Sequence, residues 1–140
     1  MSTTKLLGTL ILAAPSLLLA QAGPARAQSI DGTANLICFA ETTTYCETGG
    51  ACEAVRAEDL DLPKFFRIDF TAMAVSRKTG DDSERTSKIA SMTQGEDGLL
   101  LQGNEEGMGW TLLVEAGGNM SVSATRAGEA FVVFGACTTN

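Results

Sequence analysis

The sequence predicts an all-β protein: a small eight-stranded antiparallel up-and-down barrel braced by disulfides, with a two-sheet β-sandwich as the alternative architecture. The first observation behind this is rhythm. Short segments alternate apolar and polar residues, most cleanly in Met120-Ser121-Val122-Ser123-Ala124-Thr125, as strands with one buried face do. The second is punctuation by turn-forming clusters such as Gly95-Glu96-Asp97-Gly98 and Ala116-Gly117-Gly118-Asn119. The third is the final segment, Phe131-Val132-Val133-Phe134-Gly135-Ala136-Cys137, apolar on both faces and ended by a cysteine whose preferred partner, Cys38, lies in the first strand. A last strand beside the first closes the sheet, and closure removes exposed edges.

Taken in order, residues 1–27 read as an export signal peptide. Lys5 gives the positive start, residues 6–20 an apolar run interrupted by Pro15, and Ala25-Arg26-Ala27 a small-x-small cleavage site. The run is shorter than the roughly 18–20 residues a spanning helix needs. Residues 28–140 then form a single domain, opening on a loose leader over 28–33. Residues 34–40, with Leu36, Ile37, Cys38 and Phe39, make the first strand. An insertion over 41–62 follows: Thr42 to Cys52 is loop-like around Gly49-Gly50, and residues 53–60 suit one or two helical turns. Because the last strand is apolar on both sides, this insertion is expected to cover its outer face.

From Pro63 onward the rhythm is regular. Phe66, Ile68 and Phe70 alternate with Arg67 and Asp69, with Phe65 as a hydrophobe on the polar side. Residues 73–77 form a second short strand, 85–93 a more polar one, and 99–103 an apolar one. Trp110, Leu112 and Val114 share one face of the next, opposite Thr111, Leu113 and Glu115.

The cysteines number four, an even count that in an exported chain favours disulfides. Of the three connectivities, Cys46–Cys52 and Cys38–Cys137 are preferred, because the first rings the Gly49-Gly50 turn and the second ties the terminal strands. Metal-thiolate and redox readings fit poorly: the close spacing is C-x5-C, there is no C-x-x-C, and the chain contains no histidine.

Composition narrows function further. After signal removal the chain holds eight basic and seventeen acidic residues, a net charge of −9. Without basic clusters it is not a nucleic-acid binder. The absence of histidine removes the usual general base and the histidine-dependent triads. The acidic pairs Asp81-Asp82, Glu96-Asp97 and Glu105-Glu106 sit in predicted turns, where they read as solvated surface rather than catalytic carboxylates or a calcium loop. The expectation is therefore a non-catalytic protein without cofactor or metal.

Two binding readings remain. In the first, an acidic protein of the periplasm, or a secreted one, presents its disulfide loop to another exported protein, with Tyr45, Gly49 and Gly50 as candidate contacts and Val132 and Phe134 as a possible outer-wall patch. In size, export signal and cysteine bracing, the chain resembles the small barrel inhibitors of C-type lysozyme exported by Gram-negative bacteria. That resemblance is one of general architecture; it implies an inhibitor-like role towards a cationic protein and carries over no functional residue. In the second reading, the barrel interior around Trp110, Leu112, Met120 and Val122 holds a small apolar ligand. The chain's leucines, phenylalanines and methionines look sufficient to fill that interior, so the first reading is favoured.

Overall fold

Nine strands form in the computed structural model, which describes residues 30–60, 62–78 and 83–140. They are β1 (Leu36–Glu47), β2 (Glu53–Val55), β3 (Phe65–Asp69), β4 (Ala74–Lys78), β5 (Glu84–Gly95), β6 (Gly98–Glu105), β7 (Met108–Glu115), β8 (Asn119–Arg126) and β9 (Glu129–Thr139), with a single 3-10 turn at Ala57–Leu60. Residues 1–27, read as an export signal, and the Asp81-Asp82 pair lie outside the described residues.

From β3 to β9 each strand pairs antiparallel with the next, and β9 returns to pair with β1 along its whole length. Eight strands thus close into the expected barrel. The ninth, β2, is an addition: β1 offers residues 36–39 to β3 and residues 43–45 to β2. Cys38 and Cys137 face each other directly across the β1–β9 seam and are bonded, as are Cys46 and Cys52 across the β1–β2 hairpin.

The first strand is longer than the sequence rhythm indicates. Thr42 to Glu47, expected as loop, continues β1 because a register shift between Ala40 and Thr42 accommodates Glu41, after which the β-branched threonines pair with Phe134, Val133 and Val132. Residues 53–60 form β2 and the 3-10 turn rather than an α-helix. The leader also differs from expectation. Ile30 is buried and donates its N–H to Ala116 O, while Asp31 Oδ1 accepts from the Thr33 N–H and hydroxyl and turns the chain into β1. An isoleucine among small polar residues is a plug waiting for an apolar hole.

Ile30 closes one end of the barrel. Behind it pack Leu36, Ile68, Leu99 and Val114, each at most 1 % exposed. The insertion does not cover the outer face of β9, where Phe134 remains 53 % exposed. It folds over the opposite end of the barrel instead, held down by the Ala40 N–H donating to Lys64 O and by the buried Ala57. The physical reason lies in the spacing of its apolar residues: Ala57, Leu60 and Leu62 form one short cluster, enough to roof an opening but not to coat a strand.

Candidate functional site

Beneath that roof the barrel is hollow. A cavity of about 380 Å³ occupies the end opposite Ile30, roofed by Ala57, Leu60, Leu62 and Pro63 and walled by inward side chains of β3 to β9. The volume lies at the small end of the roughly 300–1,000 Å³ typical of small-molecule sites.

The local sequence explains the space. On β6 the inward positions run Leu99, Leu101, Gly103, Glu105, so a glycine falls where a third large residue would have filled the barrel. A Cβ at Gly103 would overlap the Trp110 indole, which stands on the paired β7 position. The glycine therefore lets the ring lie against the wall, where Trp110 Nε1 donates to Ser87 Oγ at 2.9 Å. Ala40 and Ala124 leave further room on β1 and β8.

Charged side chains interrupt the apolar lining towards its rim. Arg77 of β4 forms a two-pronged ion pair with Glu105 of β6, Nη1 to Oε2 at 2.6 Å and Nη2 to Oε1 at 2.9 Å, both side chains about one-fifth exposed. Its Nε is buried without a hydrogen-bond partner. Nearer solvent, Arg85 reaches Glu106 at 3.5 Å and Arg126 pairs with Glu129. Such exposed pairs contribute little to stability.

The candidate residues read from sequence do not form one site. Trp110, Leu112 and Val122 line the cavity, and Met120 packs in the core beside it. Tyr45 stands at the same end of the barrel, its ring 5.2 Å from that of Phe131 and its hydroxyl donating to Glu47 Oε1 at 2.5 Å. That donation, followed by partial burial and the nearby Glu129 carboxylate, pushes the phenol up to about 12. Gly49 and Gly50 are exposed in the β1–β2 turn, and Val132 and Phe134 project from the outer wall.

Sequence reasoning missed Arg77, Ser87 and Glu105. Glu105 is not the solvated turn residue expected of it but a partner in the cavity wall. A signal existed: Arg77 shares parity with Val75, Ser87 with Ile89, and Glu105 with Leu101, so each is a polar residue at an inward position. Among the described residues, no group of three or more His, Cys, Asp or Glu side chains is placed to hold a metal ion, and no helix is long and apolar enough to cross a membrane. No family model matches the chain, and no curated protein or solved structure is significantly similar to it.

Proposed function

We propose that the protein is a non-catalytic binding protein of an oxidising compartment, periplasmic or secreted, that carries a small, mainly apolar molecule in the open half of its barrel. The cavity under the Ala57–Leu60 turn is the observation that carries this reading. An apolar hollow with a few convergent polar groups is the common form of a small-molecule site, and pairing of all four cysteines supports export. The carrier reading displaces the protein-binding one because the side chains counted as sufficient to fill the interior leave a cavity at one end of it.

The test is titration of the mature protein with the apolar fluorophore N-phenylnaphthylamine. Saturable binding is expected, and it is expected to vanish in Ala124→Phe, whose ring would occupy the cavity. Absence of binding to the folded wild type, or undiminished binding to a folded Ala124→Phe, would sink the reading.

A second reading, recognition of another exported protein, is favoured by the outer wall. Phe65 and Phe134 are 59 % and 53 % exposed there, more than solubility alone recommends. Loss of a co-purifying polypeptide on Phe134→Ser, with fluorophore binding intact, would support it; the same polypeptide retained would refute it.

A further inference from the structure

Among the described residues, two residues that line the cavity each keep a hydrogen-bond donor without an acceptor. Arg77 commits Nη1 and Nη2 to Glu105, leaving the buried Nε–H unpartnered. Ser87, only 4 % exposed, accepts from Trp110 Nε1 through its Oγ and donates its own proton to no described residue. The β4–β5 register sets Val75 directly opposite Ser87, so Arg77, two residues on, is the diagonal neighbour of Ser87 on the same inner face. Diagonal positions lie roughly 7–8 Å apart, within reach of a long side chain. Buried donors are ordinarily satisfied, and a pair left open on a cavity wall marks where an occupant supplies what the protein does not.

From this we infer that the ligand is a neutral lipophile bearing one strong hydrogen-bond acceptor, such as the carbonyl oxygen of a ketone or ester, seated between Arg77 Nε and Ser87 Oγ. The inference rests on the carrier reading above and specifies its ligand class. Charge decides against an anion. The Arg77 guanidinium is already neutralised by Glu105, and Arg85 and Arg126 by Glu106 and Glu129. A carboxylate entering the site would meet glutamates with no surplus cation to offset them, and an amine would set donors against donors. A neutral oxygen accepts both open donors and disturbs neither ion pair. The apolar walls take the rest of the molecule, on the order of fifteen non-hydrogen atoms at the packing density of protein interiors.

Trp110 is the only tryptophan in the chain and lines the cavity, so its fluorescence reports occupancy without a label. The disulfide-intact mature protein is titrated with nonane, 2-nonanone, nonanoate and nonylamine. The ketone is expected to bind about tenfold more tightly than the alkane, a difference of about 1.4 kcal/mol. In Arg77→Met/Glu105→Gln, where no uncompensated charge is left behind, and in Ser87→Ala, the ratio of ketone to alkane affinity should fall towards one. Should a variant fail to fold, the rank order in the wild type decides alone. Ketone and alkane binding equally, or nonanoate or nonylamine binding best, overturns this inference and leaves the carrier reading standing. Failure of every compound, together with failure of the fluorophore, overturns both.

Discussion

The two ends of the barrel are built from the same strands and differ in what those strands turn inward. Read from the closed end to the open one, β6 offers Leu99, Leu101, Gly103 and Glu105; β5 offers Ile89, Ser87 and Arg85; β8 offers Met120, Val122, Ala124 and Arg126. Each series passes from large aliphatic to small or charged. At the closed end the result is a sealed core with Leu99 and Val114 fully buried and Ile30 as its stopper. At the open end it is a hollow with an ion pair in its wall. The lesson is that a barrel of this strand number is neither inherently filled nor inherently hollow; side-chain volume along each inward series decides, position by position.

The sharpest way to separate the ends is through their disulfides. Cys38–Cys137 spans 99 residues and crosses the packed end, whereas Cys46–Cys52 spans 6 at the open end. By chain entropy the long bridge contributes about 4–5 kcal/mol and the short one about 2. Urea melts of the two paired Cys→Ser variants should show that order, with the second variant also releasing bound fluorophore faster because the roof is less tightly held. Equal losses would mean that the ends are not mechanically distinct.

Core truncation should give the next largest contrast. Leu101→Ala removes a fully buried side chain and should cost about 3 kcal/mol. Val75→Ala, bordering existing empty space, should cost about 1 kcal/mol or less. Similar denaturation midpoints for the two would contradict the hollow. Gly103→Ala tests the wall between them: it should destabilise by about 1–3 kcal/mol through overpacking and shift Trp110 emission as the indole leaves Ser87.

The smallest effect belongs to the rim. Tyr45, the only tyrosine, should titrate near 12 in the folded protein, followed by tyrosinate absorbance, against an ordinary value of 10.0. Because the folded value is the higher, the stability its bond to Glu47 contributes is complete below pH 10.0 and is lost as pH rises towards 12. In Glu47→Gln the phenol should titrate closer to its ordinary value; an unchanged titration would remove Glu47 as the main cause.

Much of the wall was legible in the sequence. The alternation in β7 and β8 placed Trp110, Leu112, Met120 and Val122 on the inner face, and spacing favoured the observed cysteine pairs. The second half of β1 was not legible, because a register shift at Ala40/Thr42 breaks the period and a threonine run reads equally well as loop. The cavity was hidden for a different reason. Counting large hydrophobes measures how much can fill an interior, whereas Gly103, Ala124 and Ser87 determine where it stays empty. The Arg77–Glu105 pair joins β4 to β6 across 28 residues, a separation no local pattern reports.

The β1–β9 seam also sets when this site can exist. The main partner of β1 is β9, so the wall around the cavity stays open until residues 129–139 have emerged and paired. During synthesis, β3 to β8 can zip in sequence while β1 waits. A premature stop anywhere in β9 would spare most of the strands yet leave a gaping sheet with an unpaired edge, prone to association rather than merely shortened. The closed wall around the cavity is thus acquired with β9.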